Sequence, residues 1–302
     1  MAIPDFQTMM LPTLQSLEDG EPHSMKYLRD FVAQKMGVSE SDREEKLQSG
    51  TSRFDNRIAW VRAHFVFAKL IESPTRGEIK VTERGKKVLA ENPDRIDLKF
   101  LQQFPEYLEA RSRKRSRPDS QETSLETSEA DTPEESLEKS FSELRSALAA
   151  ELLEKIKSQT SRFFEDLVVE FLLKLGYGGS RLDAGKALGR TGDGGIDGVI
   201  KEDKLGLDLI YLQAKRWENP VGPAIVREFL GALDQHGAKK GVLITTSRFT
   251  KDAALPLNRS DKRIALIDGL TLAEMMIDHD LGVNTIKTFH LKKVDADYFD
   301  TQ

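Results

Sequence analysis

Between Arg111 and about Glu135 the chain changes character, and that change limits what it can build. RSRKRSRPDS is basic; QETSLETSEADTPEES is polar, acidic and almost without large apolar residues. Such a stretch cannot bury enough surface to offset the entropy of ordering it, so it reads as a flexible linker. The chain must then form a separate core on each side, over 1–108 and over 136–302, with 109–135 between them. A length of 302 residues suits two domains of ordinary size. The basic head of the linker offers charge to phosphate, although charge runs are ordinarily just solvated.

Composition narrows the function by exclusion. The formal net charge is -5, so the surface is not a uniformly basic sleeve, and any affinity for nucleic acid must come from local patches. There are no cysteines, which removes disulfides, thiolate zinc sites and thiol nucleophiles together and fits a reducing compartment. MAIPDFQTMMLPTL lacks the basic and apolar regions of a signal peptide, and no apolar run approaches the roughly 20 residues of a membrane span. The expected location is cytoplasmic, with no membrane partner.

In the N-terminal part, Phe6, Met9, Met10, Leu14 and Leu17 fall in helical register. His23 to Met36 repeats that spacing until Gly37 stops it, and Ser39 and Ser41 are candidate caps for a short helix. Phe54 to Leu70 predicts a long helix. Ile71 to Thr82 predicts a hairpin around Pro74 and Gly77, and Thr82 to Glu91 a closing helix. Three helices followed by a hairpin is the order of a winged helix, a variant of the helix-turn-helix plan. Its presumed recognition helix carries Arg53, Asn56, Arg57, Arg62, His64 and Lys69 as candidate DNA contacts. Cations along one exposed helix often mean only solubility; the winged-helix order favours phosphate or groove contact.

After the linker, 134–156 is helical in composition and SRFFEDLVVEFLLKL (161–175) is amphipathic, ending at Gly176. Strands are expected at Gly198 to Ile200, Leu209 to Lys215, Gly241 to Ser247 and in RIALID. They alternate with helices around Ala224 to Gln235, around Thr250 to Leu257 and in GLTLAEMMIDHD. This alternation predicts an α/β sheet covered on both faces.

The chemistry concentrates in GRTGDGGIDGVIKEDKLGLDLIYLQAKRW. Asp197 stands where a glycine-rich turn enters the strand GVI, and KEDKLGL reverses the chain so that LIYLQAK returns beside it. Residues two apart share a strand face, so Gln213 and Lys215 project together while Leu212 and Ala214 turn to the core. Pairing the strands brings a carboxylate, an amide or backbone oxygen and an ammonium to one point. A hard divalent cation such as magnesium takes oxygen ligands and keeps several waters. Asp197 would anchor it, with the Gln213 side-chain oxygen and the Ala214 carbonyl completing the protein's share. Such a metal polarises a phosphate and acidifies an attacking water, while Lys215 orients that water and offsets charge on the phosphorane. Glu165, on the preceding helix, would reach the site through water.

DGGIDGVI followed by YLQAKRW resembles the PD-(D/E)xK nuclease superfamily, specifically its Mrr-type branch with a D…QxK signature. SRFFEDLVVEFLLKLGYGG, GRTGDGGIDGVI, QAKRW and GVLITTSRFT stand in the order that branch uses, and the winged-helix-like unit matches as well. The resemblance implies a restriction-endonuclease-like mixed α/β sheet flanked by helices over 136–302, preceded by a winged-helix DNA-binding domain over 1–108. It also implies cleavage of double-stranded DNA, typically methylated, in bacterial type IV restriction. Magnesium is the implied cofactor, with manganese as a substitute. By motif position the catalytic acid falls on Asp197, the glutamine on Gln213, the lysine on Lys215 and the helical glutamate on Glu165. One departure from the wider superfamily is that Gln213 replaces a second acid, and a lost negative charge weakens metal binding.

Taken singly these features say little: D-G-G-x-D alone is a tight turn, and Q-x-K arises by alternation on any strand. Their combination in order carries the reading. Asp193 serves either the turn or the site. Arg216 is a candidate phosphate ligand, and Trp217 is more simply a packing residue. The hydroxyls of TTSRFT are expected to cap the following helix. The histidines show no zinc spacing, and the glycines around Gly176 and Gly178 follow no nucleotide-binding pattern. Cutting two strands with one centre per chain predicts a homodimer on DNA. Two rivals remain open: a structure-specific repair or junction nuclease, and a non-catalytic winged-helix regulator.

Overall fold

A computed structural model describes residues 3–75, 77–115, 131–178, 195–203 and 207–292. They divide into two compact units, 1–142 and 143–302. The expected linker runs into helix at both ends, and 116–130 lie outside the described residues, as does Asp193.

The first unit is built from α1 (Met10–Gln15), β1 (His23–Ser24), α2 (Met25–Met36), α3 (Glu40–Arg43) and α4 (Arg53–Phe67). It continues through β2 (Ile71–Glu72), β3 (Glu78–Val81), α5 (Glu83–Ala90), α6 (Leu98–Leu101) and α7 (Pro105–Arg115). The caps explain the boundaries. Gly37 closes α2 at φ +66°, and Ser39 forms a capping box with Asp42 at the start of α3. Thr82 accepts the Gly85 N–H at the head of α5. β1, β3 and β2 pair antiparallel in that order, which is the hairpin of a winged helix with a short third strand. Phe54, Ile58, Val61 and Phe65 make one fully buried stripe of α4 against Met10, Leu14 and Leu28. Truncating one of these rings to alanine costs about 3–5 kcal/mol.

Two short helices that periodicity missed, α6 and α7, finish this unit. Glu106 on α7 accepts both Arg84 guanidinium nitrogens, at 2.9 and 3.0 Å, with Lys69 Nζ 3.3 Å away. These cations hold its carboxyl well down, to about 2 from an ordinary 4.5, with the Arg84 hydrogen bonds the main cause. A carboxyl depressed in the folded state adds stability that is complete above its ordinary value and is lost as pH falls towards 2. Acid unfolding followed by circular dichroism should therefore show a shallower slope below pH 4.5 in Glu106→Gln; an unchanged slope would show that the pair contributes nothing.

The second unit takes the last turns of α8 (Pro133–Lys157), then α9 (Ser161–Lys174), β4 (Gly198–Lys201), β5 (Leu209–Lys215) and α10 (Pro223–Gln235). β6 (Lys240–Thr245), a 3-10 turn (Leu255–Arg259), β7 (Arg263–Ile267) and α11 (Gly269–Asp278) follow. The sheet order is β4-β5-β6-β7, antiparallel at the first pair and parallel at the other two. Strand alternation divides the core. Ile210, Leu212, Val242 and Ile244 face α9 and α11 with Phe164, Val168 and Phe171, while Tyr211 and Leu243 face Val226 and Phe229 of α10.

One expectation fails here. The stretch 250–257 holds no α-helix, only the 3-10 turn that Pro256 helps to initiate. The TTS hydroxyls accordingly cap nothing of helical length; they bond carbonyls elsewhere, as described below. Among the described residues, no helix is long and apolar enough to cross a membrane.

Candidate active site

Register decides the site. Gly198 pairs with Leu212 across β4 and β5, so the register carried back one residue sets Asp197 opposite Gln213. The backbone fastens it twice: Asp197 N–H donates to Leu212 O at 2.8 Å, and Asp197 Oδ2 accepts the Ala214 N–H at 2.7 Å. A strand residue presents its N–H and C=O to the same side, so the Ala214 carbonyl is turned towards the Asp197 edge. Glu165 of α9 shares a crevice with Asp197, Gly198, Leu212 and Ala214.

Gln213 is 4 % exposed, so its side chain is buried and not on the surface, and it is not among the residues that line that crevice. Its Nε2 donates to the Gly195 carbonyl, two residues before Asp197, and its Oε1 is buried with no hydrogen-bond partner among the described residues. Gly195 has to be glycine: it sits at φ +99°, and a Cβ there would meet Gln213 Nε2 at 2.9 Å. Lys215 is half-buried at the end of β5, its Nζ 5.8 Å from the centre of the Trp217 ring.

The electrostatics follow from burial. Burial pushes the Asp197 carboxyl above its usual value, against the Ala214 N–H and the Lys215 charge, which pull it down. Glu165 is raised too, first by burial and then by the charges of Asp197 and Asp166, with Arg162 and Lys215 opposing. The charge of Asp197 is thus part of what raises Glu165.

These atoms suit a hard divalent cation. Every candidate donor is oxygen: the carboxylates of Asp197 and Glu165, Gln213 Oε1 and the Ala214 carbonyl. The orphaned Gln213 oxygen is the sort of buried group a cation satisfies. Among the described residues no cluster of three or more His, Cys, Asp or Glu side chains is placed to hold a metal.

The remaining predicted contacts divide. Arg216 is exposed and ties the end of β5 to the turn before α9, its Nη1 donating to Lys157 O at 2.8 Å and its Nε 3.4 Å from Ser161 Oγ. The TTS hydroxyls, expected as helix caps, instead hold the segment after Lys215: Thr245 Oγ1 donates to Lys215 O, Thr246 Oγ1 to Trp217 O and Ser247 Oγ to Glu218 O, each at 2.9 Å.

In the first unit, Arg57 is 8 % exposed and Asn56 9 %, which corrects the expectation that both face DNA. Arg57 donates to Glu135 Oε1 and, through Nη1, to the carbonyls of Ile3 and Pro4 at 2.7 Å, while Asn56 Oδ1 accepts from Thr132 Oγ1. The physical reason is a buried carboxylate: Glu135, only 5 % exposed, draws these groups inward. Arg53 is half-buried between Glu45 and Glu135. Arg62 and Lys69 are exposed.

Comparison with known proteins bears on both units. A family model described as a restriction endonuclease, Mrr_cat, matches residues 156–276, and one described as the Mrr N-terminal domain matches 6–91. The type IV methyl-directed restriction enzyme EcoKMrr of Escherichia coli strain K12 is 34% identical over 313 residues, covering 99% of this chain and all of that one. Among solved structures, the MspJI restriction endonuclease in complex with a 27-mer oligonucleotide overlays at a TM-score of 0.33, with 24% identity over 44% of this chain and 31% of its own. The restriction endonuclease FokI overlays at 0.32, with 15% identity over 90% of this chain and 44% of its own.

Proposed function

Because this chain belongs to the Mrr family of restriction endonucleases, we propose that it hydrolyses both strands of methylated DNA at a centre formed by Asp197, Gln213, Ala214, Lys215 and Glu165. The observation that carries the assignment is the fastening of Asp197 to the Ala214 N–H beside an orphaned Gln213 oxygen. Asp197, Gln213 Oε1 and the Ala214 carbonyl would hold magnesium, or manganese in its place. A cation so held supplies Lewis-acid polarisation of the phosphate and a more acidic water.

The chain's own groups do the rest. The Lys215 ammonium, on the strand that carries Gln213, orients the attacking water and balances charge as the phosphorane forms. Glu165, whose carboxyl is pushed up by burial and by the charge of Asp197, acts from outside through water, accepting or returning a proton. Exposed Arg62 and Lys69 contribute phosphate contacts, and Arg216 positions the strand end with its spare N–H groups towards the backbone of DNA. One centre per chain against two strands calls for a homodimer on the duplex.

Digesting methylated and unmethylated preparations of one plasmid, with magnesium and with EDTA, tests this. Double-strand cuts only in the methylated, magnesium-containing reaction are expected. Cutting in EDTA would overturn the metal assignment, and equal cutting of both preparations would overturn the preference for modified DNA. Faster cutting of a four-way junction than of either plasmid would make the protein a junction nuclease.

A further inference from the structure

Inside the first unit is a cavity of about 760 Å³ that the catalytic chemistry does not use. Close-packed interiors leave few voids larger than a water molecule, so a space this size is a formed pocket, within the range that binds small ligands. Its wall is aromatic. Trp60, His64 and Phe67, at i, i+4 and i+7, line it from α4, Tyr107 lines it from α7, and Phe6 from the N-terminal segment. His64 is the hub. Its ring stacks on Phe6 at 5.7 Å and lies 5.7 Å from Tyr107, 6.0 Å from Trp60 and 6.4 Å from Phe67.

Hydrogen bonds make that wall rigid. The Tyr107 hydroxyl is 3.0 Å from His64 Nδ1, and Trp60 Nε1 donates to Glu134 Oε2 at 2.6 Å. The polar lining lies towards solvent: Lys99, Gln102 and Arg111 are exposed, Asp131 and Ser136 are half-buried, and Phe67 is 37 % exposed. Asp97 also lines the cavity, but its Oδ1 already caps the Phe100 N–H at 2.8 Å.

Flat π-faces, hydrogen-bonding groups along one edge and the Lys99 and Arg111 cations at the rim suit a planar heteroaromatic ring attached to phosphate. We propose that this cavity receives a single modified nucleobase swung out of the duplex, stacked against the aromatic wall, with Gln102 at its polar edge and Lys99 and Arg111 on the flanking phosphates. The ring faces give the added methyl group an apolar surface that water would not. This rests on the reading of the chain as an endonuclease for methylated DNA and locates where the modification is sensed.

The test uses the full chain carrying Asp197→Ala, so that DNA is bound and not cut. Affinity is measured for duplexes of one sequence, unmodified, adenine-methylated or cytosine-methylated. The parent should prefer one methylated duplex by about tenfold or more, the scale of one aromatic stacking contact. Adding Phe67→Ala, or separately Gln102→Ala, should reduce that preference to about threefold or less. Affinity for unmodified duplex should change by no more than about twofold, because phosphate contacts elsewhere supply it. Gln102 is exposed, so its variant folds even if the Phe67 variant does not. A parent without preference sinks the methylated-DNA reading and this proposal with it. A parent that discriminates, with variants that discriminate equally well, sinks the pocket alone. An equal loss on all duplexes, or a smaller assembly in sedimentation with discrimination intact, also overturns it, the latter marking the cavity as a contact between copies.

Discussion

Replacing Asp197 with alanine should lower magnesium-dependent cleavage by about 10³-fold or more while duplex affinity stays within about twofold. The size follows from the chemistry: without this carboxylate the centre keeps one neutral amide oxygen, one backbone carbonyl and a distal glutamate, too little negative charge to hold a divalent cation against water. Binding is expected to survive because the proposed phosphate contacts, Arg62 and Lys69, lie in the other unit. The control is Asp197→Asn. It keeps an acceptor for the Ala214 N–H and removes a charge that burial disfavours, so its melting temperature in EDTA at neutral pH should be no lower than the parent's. Cleavage within tenfold of the parent in either variant would refute the assignment. A melting temperature that collapses in Asp197→Asn would turn a catalytic residue into a structural one.

The largest effect on stability is expected at Glu135. Its side chain is 3 % exposed; Oε1 meets Arg53 Nη1 at 3.0 Å and Arg57 Nη2 at 2.8 Å, and Oε2 accepts the Thr132 N–H at 2.9 Å. Removing the carboxylate in Glu135→Ala leaves the Arg57 guanidinium buried with only the Ile3 and Pro4 carbonyls as partners. Breaking a buried pair in this way costs about 3–5 kcal/mol. In urea the first unit should unfold at a lower midpoint, followed by a probe near Trp60, with a second transition unmoved. Replacing both members, Glu135→Leu with Arg57→Met, should recover most of the loss, because the penalty belongs to the unpaired charge and not to the absent bridge. A loss under about 1 kcal/mol in the single variant would mean that water already reaches the pair.

The catalytic strands could be read from sequence because their signal is local. Alternation over LIYLQAK marks β5 at its observed ends, and turn residues on either side fix its pairing with the strand after Asp197. The pattern showed that Gln213 and Lys215 share a face; burial of Gln213 depends on Gly195, across a turn whose glycines gave only conformational freedom. Glu135 marks the other limit. Its partners Arg53 and Arg57 lie 82 and 78 residues away, and the acidic context of TPEES reads as solvated whichever side chain is drawn into the core. The same gap turned Arg57 into an expected DNA contact. For α7, a proline at the first position and Tyr107 on its inner side were available signals, but basic composition after Arg111 outweighed them. The helix expected at 250–257 failed because apolar spacing there serves the packing of Ala253 and Leu257 without a helical backbone.

The three hydroxyls of Thr245, Thr246 and Ser247 act as a seam whose other edge is the carbonyls of Lys215, Trp217 and Glu218. The path leaving Lys215 is therefore set by two stretches of sequence about thirty residues apart. A chimera that borrows 216–222 from a relative keeps the seam as long as hydroxyls stand at 245–247, because the acceptors are main-chain carbonyls.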